Sequence, residues 1–508
     1  MVVASAAKRW LVNRMVSTVW RRWIHRDVPV ATPGRANHRE LQNLSWTKYS
    51  PLGEQNGSRL FQFTFDWAFF MLIRCFWGLM AVLLVSALTL PGVRAVADDW
   101  PQWRGSQRDG RWNEQGIRDD LPDGQLPLAW SVSIGPGYCG PTVANGRVYV
   151  MDRQVTDRNE MERILCFDSA KGTLLWQVEY KAPYGNVGYA AGPRASVTID
   201  QGRAFAVGSR GNFHCLDAVS GEVIWQHDLE TKYSIEMPIW GIAASPLVYG
   251  ELVIQQVGGS QNSCMVAFEK KTGKEVWRAL NDKAGYSSPI VIKQADKDVL
   301  VCWTGESLSG LDPSTGKIYW THPFPSSRMP IGISTPIIDN EMLFVSSFYD
   351  GSMMIRVPAK SLTSELIWRE VGKDEQNTKS LHTMIGTDIL ENGYVYGADS
   401  YGEMRCLNAM TGARVWEDLK AVPKARWATI HMVRQADRVW MFNERGELLI
   451  AKLSPKGLTI LDRCKLLEPT TVQLAQRGGV CWSHPAFAER SIFARSDSKL
   501  VKASLAKD

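Results

Sequence analysis

Downstream of residue 127 the hydrophobic positions alternate with small or polar ones over four to six residues at a time. Examples are GRVYVM (146–151), GRAFAV (202–207), GELVIQ (250–255), KDVLVC (297–302), EMLFVS (341–346), NGYVYG (392–397), DRVWMF (437–442) and RSIFAR (490–495). That two-residue period predicts half-buried strands, and no segment after residue 98 has the length or spacing of an amphipathic helix. Each run leads into a second pattern: CFDSAKGTLLW (166–176), CLDAVSGEVIW (215–225), AFEKKTGKEVW (267–277), GLDPSTGKIYW (310–320) and CLNAMTGARVW (406–416). These share a small residue, an Asp, Glu or Asn two on, a Gly and a Trp. They predict a hairpin: the acidic or amide side chain caps backbone N–H groups, Gly supplies a positive φ, and the second strand runs out to Trp.

The pattern repeats. Trp130, Trp176, Trp225, Trp277, Trp320, Trp368 and Trp416 stand 43–52 residues apart, with a degenerate copy at Trp368 and another, lacking its Trp, around residues 453–461. Eight such strand pairs predict an all-β, eight-bladed β-propeller of four-stranded antiparallel blades. The last copy has no outer Trp strand, whereas PLAWSVSIG (127–135) is surplus at the start. An N-terminal strand closing the ring accounts for both and hides the sheet edges. The propeller is thus read over 127–508, with DDWPQWRGSQRDG opening a lead-in over 98–126, whose Trp100 and Trp103 pin it to the propeller and whose Arg104 and Asp109 bond locally.

Charge and export change this picture only at the front. Residues 71–97 carry Arg74, an apolar run over 75–90 and the small-residue site Ala95-Val96-Ala97, the parts of a signal peptide. They predict an exported protein, periplasmic or extracellular. The basic stretch 1–70 then reads as an extension upstream of an initiator at Met71, or as the cytoplasmic arm of a signal anchor. Membrane association is expected only through that segment if it stays uncleaved. Twelve of the 58 Lys/Arg and four of the 52 Asp/Glu fall in residues 1–97, so the formal charge of +6 becomes −2 without them. A mildly acidic chain has no footprint for nucleic acid. Eight cysteines lie beyond residue 97, but Cys166, Cys215 and Cys406 occupy a slot filled elsewhere by Ala267 and Gly310, which predicts small buried packing positions rather than disulfides.

CLNAMTGARVW and AFEKKTGKEVW resemble the pyrrolo-quinoline quinone (PQQ) repeat, Ala-x-Asp-x-x-Thr-Gly-x-x-x-Trp, over nearly all of the chain beyond the leader. The resemblance implies the eight-bladed fold and two kinds of relative: PQQ-dependent alcohol dehydrogenases, including the polyvinyl-alcohol type, and the BamB-like outer-membrane assembly factors. The dehydrogenases share a vicinal Cys-Cys pair on the quinone, an Asp base and Glu, Asn and Asp ligands for calcium. This chain has no Cys-Cys dipeptide, only Asp388 as an inner-strand acid, and no CxxCH for haem.

Sites in propellers form where inner strands meet the axis. Aligning YCGPTV, RASVTI, AASPLV, YSSPIV, ISTPII, IGTDIL, TIHMVR and WSHPAF gives a ring of Gly140, Ser196, Ser245, Ser288, Thr335, Thr387, His431 and His484. Two residues earlier stand Tyr138, Arg194, Ala243, Tyr286, Ile333, Ile385, Thr429 and Trp482. Arg194, Trp482, Tyr138, Tyr286 and Trp427 are therefore the candidate ligand or cofactor residues, aromatic faces for stacking and one guanidinium for an anion, with His382 and Trp240 near the same rim. The opposing reading is that hydroxyls satisfy buried backbone and aromatics fill the axis. His431, His484 and Asp388 are the candidate metal ligands by residue type, without a supporting motif. No catalytic residue is assigned. The expected function is a binding or scaffold module for a protein, peptide or glycan at the blade-top loops. The alternative is a PQQ-dependent alcohol dehydrogenase with a divergent site, for which PQQ and calcium would be the cofactors.

Overall fold

The alternating runs are strands. Thirty-two of them, β1 (Leu128–Ser133) to β32 (Lys499–Ser504), form eight four-stranded sheets in a computed structural model that describes residues 98–474 and 477–507. The leader pattern and the basic extension lie outside the described residues. Blades 1 to 7 are consecutive meanders spanning Thr142–Lys181, Thr198–Asp228, Leu247–Ala279, Ile290–Pro323, Ile337–Glu370, Ile389–Asp418 and Ile430–Lys465. Blade 8 pairs β1 with β32, outside Ser491–Arg495 and Ala486–Ala488, so the N-terminal strand closes the ring as its surplus suggested. A single short helix, α1 (Leu229–Tyr233), capped by Asp228, interrupts the all-β pattern among the described residues.

The repeated Gly and Trp are one device. In blade 1, Asp168 Oδ1 accepts from the N–H groups of Ala170 and Lys171 at 3.0 and 2.8 Å, turning the chain toward Trp176. The Trp176 indole then crosses to blade 2, where Nε1 donates to Ala218 O at 3.2 Å. Its ring lies 2.7 Å from where a Cβ on Gly221 would stand, and Gly221 has φ +79°. Glycine is thus required twice, for backbone conformation and for the neighbouring indole. Trp130, Trp225, Trp277 and Trp368 meet Gly172, Gly273, Gly316 and Gly412 in the same way, so with Trp176 the device joins five neighbouring pairs of blades, blade 8 to blade 1 included.

The slot of small residues has the same cause. Cys166, Cys215, Ala267, Gly310 and Cys406 lie directly across the strand pair from Trp176, Trp225, Trp277, Trp320 and Trp416. A larger side chain there would meet the indole; at Gly310 a Cβ would stand 2.2 Å from Trp320. All eight cysteines among the described residues are buried and unpaired. Trp320 departs from the rule because blade 5 lacks the acidic turn, and its Nε1 bonds Gln294 Oε1 at 3.0 Å instead.

Candidate functional site

The segments that lead into the innermost strands converge on the axis and enclose a chamber of about 110 Å³. Tyr138, Arg194, Tyr286, Trp427 and Trp482 line it together, as do Trp240, Ile333 and Ile385. In blade 7 the lining residue is Trp427 rather than Thr429: Trp427 has φ +65°, and Thr429 turns back to donate to the Trp427 carbonyl at 3.1 Å. His382 is elsewhere. It is buried behind Phe348, whose carbonyl takes Nδ1–H at 2.9 Å, and its Nε2 accepts from Gly372 N.

Beneath the chamber the ring of slot residues serves the backbone. Ser245 Oγ accepts from Ser196 N at 3.0 Å, Ser288 Oγ from Ser245 N at 2.9 Å, and Thr387 Oγ1 from Thr335 N at 3.3 Å. Each hydroxyl therefore ties its blade to the one before, the satisfaction a buried polar group needs. His431 donates Nε2–H to Trp482 O at 2.8 Å. His484 faces the Pro485 carbonyl through Nδ1, which makes that nitrogen the donor and leaves Nε2 to accept from Ser196 Oγ at 2.7 Å. Burial pushes the two imidazoles down to about 4 and about 3. Both therefore stand neutral, their centroids 6.2 Å apart.

Asp388 lies with a second cavity, on the far side of the lead-in from the chamber, and among the described residues no three His, Cys, Asp or Glu come together to hold a metal. The proposed metal trio is not assembled.

Arg194 also differs from its expected use. Its Nη2 donates to Gly188 O and Tyr189 O at 2.7 and 2.8 Å, and its Nη1 to Gly192 O and Ser209 Oγ at 3.0 and 3.1 Å. The fork that should have clamped an anion is spent on its own loop and on Ser209 of blade 2, while the guanidinium face lies 4.9 Å from the Tyr138 centroid. Arg426 lies similarly 4.4 Å from Trp427, paired with Glu375 at 2.6 Å.

Trp103, Tyr189 and Met384 also line the chamber and were not among the sequence candidates. Trp103, on the lead-in, forms the floor: its Nε1 donates to Thr335 Oγ1 at 2.6 Å and its ring meets His484 edge-on at 4.3 Å. Tyr189, on the loop between blades 1 and 2, lies among Trp240, Trp427 and Trp482. The lead-in bonds blade after blade beneath the chamber. Trp100 bridges Val143, Pro101 O accepts from Ile199 N, and Arg108 donates to carbonyls of blades 3 and 4. Arg111 bridges Arg434, and Ile117 bridges Ala506. Arg104 bonds locally, to Arg108 O and Asp109 O.

The chamber is walled by aromatic rings and presents no carboxylate or carboxamide. Two buried donors belonging to lining residues, the Tyr138 hydroxyl and Trp427 Nε1, have no hydrogen-bond partner. PQQ with calcium does not fit this donor set. No thiol pair faces the chamber, and no carboxylate or carboxamide stands in its wall to hold the cation.

Fold and site together define a PQQ-repeat β-propeller with a blind axial chamber. The family model described as outer membrane protein assembly factor BamB matches residues 160–418, and the chain belongs to that family. A 1-butanol dehydrogenase (quinone) of Thauera butanivorans is 28% identical over 152 residues, 27% of this chain and 24% of that protein. Outer membrane protein assembly factor BamB of Yersinia pestis is 23% identical over 275 residues, 52% of this chain and 64% of that protein. The chain thus spans between about a quarter and just under two thirds of these relatives' lengths. The crystal structure of quinohemoprotein alcohol dehydrogenase from Comamonas testosteroni superimposes with a TM-score of 0.56 at 12% identity, covering 81% of each chain, a likeness of fold.

Proposed function

We propose that this protein is an exported binding propeller that holds one ring-sized group of a ligand, neutral or anionic and bearing an acceptor oxygen, in its axial chamber. The observation that carries the reading is the lining: aromatic walls and no acid, with two unpartnered donors buried on lining residues. A buried donor without a partner costs about 1–3 kcal/mol, so a side-chain shift that brings a ligand oxygen to the Tyr138 hydroxyl or Trp427 Nε1 gains what the free protein lacks. A cation is disfavoured, because guanidinium groups already lie over the Tyr138 and Trp427 rings and no carboxylate is present to offset a third charge. Export is supported by the leader pattern at 71–97 and by kinship with an outer membrane assembly factor.

Titration of the full chain with 4-methylphenol, methyl glucoside and tetramethylammonium, followed by tryptophan fluorescence, tests the chamber. Saturable quenching by the phenol or the glucoside but not by the cation is expected. Cation binding as tight as either, or no saturable binding at all, overturns the reading. For export, a mature N-terminus near Asp98 is expected, and recovery of peptides from residues 1–70 in the mature protein would speak against it.

A further inference from the structure

We infer that Tyr189 is the chamber's own stand-in ligand, and that the group displacing it is an aromatic side chain presented by a peptide or protein partner. This rests on the reading of the chamber as a ligand site. Tyr189 belongs to the loop between blades 1 and 2, yet its ring centroid lies 5.9 Å from Trp240, which leads into blade 3, and 5.9 Å from Trp427, which leads into blade 7. Blades 3 and 7 face one another across an eight-membered ring. A side chain that touches both lies over the axis. Its angles to the two indoles are 72° and 81°, the edge-to-face arrangement aromatic pairs prefer. A third indole, Trp482, stands 6.1 Å away. The aromatic cage therefore already holds an aromatic ring carried on a loop, in the geometry a partner's side chain would adopt.

The backbone is consistent with a temporary occupant. Tyr189 has φ +50° and Trp427 φ +65°; they are the two aromatic residues with positive φ among the described residues, and they touch each other. Bulky side chains adopt this conformation only under constraint, and such constraint gathers at functional sites. Here the constraint is visible. Arg194 takes the carbonyls of Gly188 and Tyr189 at 2.7 and 2.8 Å, and Gly188 N donates to Ile239 O at 2.6 Å. Arg194 is thus a positioning residue that sets Tyr189 over the mouth. Tyr189 itself remains partly exposed, so exchange needs only this loop to swing outward. While Tyr189 occupies the cage, the apparent affinity for any competing ring is lowered by the fraction of time the cage stands open.

The test compares the full chain with Tyr189→Gly, in which glycine suits the positive φ, and with Tyr189→Asn as a second variant that also tolerates it; thermal melts confirm that each is folded. N-acetyl-tyrosinamide is titrated against each protein, with 4-methylphenol and methyl glucoside alongside. At least tenfold tighter binding of the tyrosinamide in both variants is expected. Equal or weaker binding in the variants makes Tyr189 part of the wall and overturns the inference. Tighter binding of the glucoside than of the tyrosinamide by the variants overturns the peptide ligand while leaving the chamber a ligand site. Failure of every ring probe on every protein removes the proposed function itself.

Discussion

Lowering the pH from 7 to 4 is expected to cost the propeller roughly 5 kcal/mol of stability, because three imidazoles are folded away in the neutral form. Burial pushes His214 and His431 down to about 4 and His484 to about 3, from an ordinary value of 6.5. In the unfolded chain these groups take up protons below pH 6.5; in the folded chain they do not until pH 4 or below. Their contribution is therefore complete above pH 6.5 and is lost as the pH falls, about 3 kcal/mol each by pH 4. Asp388 acts in the opposite direction. Burial raises its carboxyl to about 7, so it binds its proton earlier in the folded state, and stability rises by about 3 kcal/mol as the pH falls from 7 to 4. Burial also holds His382, His227 and His322 below the ordinary value and adds to the loss, so the net effect of acid is destabilising on a scale comparable with the whole stability of many domains. Urea unfolding at the two pH values measures it. His484→Gln should shrink the difference by about 3 kcal/mol, and an unchanged difference would show that this imidazole is not held neutral by the fold.

The repeat was readable because its two marks, Gly and Trp, are the two halves of one contact, made at five of the eight junctions between neighbouring blades. A contact repeated at fixed register leaves a period, and the period carried the blade count, the ring closure and the alignment of the strand-leading residues. That alignment brought Tyr138, Arg194, Tyr286 and Trp482 to one chamber. What it missed lies outside the period. Tyr189 sits on a loop with no counterpart in other blades, and tyrosine does not announce a positive φ. Arg194 read as an anion clamp because residue type reveals a guanidinium's charge and not which carbonyls it takes. His431 and His484 stood together as ring members, but their hydrogen-bond partners, a carbonyl and a hydroxyl, are set by tertiary approach. DDWPQWRGSQRDG, read as a segment pinned to the propeller, does pin itself there. One of its pins, Trp103, is also the chamber floor, its indole bonded to Thr335 and set edge-on to His484.

Arg108→Ala is expected to cost at least ~3 kcal/mol and to loosen that floor. The Arg108 guanidinium lies buried at the centre of the lead-in, donating Nε to Gln102 Oε1 at 2.8 Å, Nη1 to Ser245 O and Pro289 O at 3.4 and 3.0 Å, and Nη2 to Pro246 O. No carboxylate pairs with it, and burial alone pushes it down to about 9. Holding that charge out of water therefore costs on the order of 5 kcal/mol. Four hydrogen bonds from a charged donor contribute about 1.5–3 kcal/mol each and outweigh the cost. Alanine recovers the desolvation term but forfeits all four bonds, leaves the carbonyls of Ser245, Pro246 and Pro289, which lead into the inner strands of blades 3 and 4, short of a donor, and opens a void. Arg108→Met separates these causes: it fills the void yet restores no donor, so it should recover only the packing part. Arg108→Lys keeps the charge but replaces a planar fork with a point donor that cannot reach three carbonyls at once, and it should also fall below wild type. The measurement is the urea midpoint of each variant, with 4-methylphenol titration as the readout of the floor. If methionine matched wild type in both, the guanidinium would be filling space and the hydrogen-bonded staple under the chamber would have no energetic role.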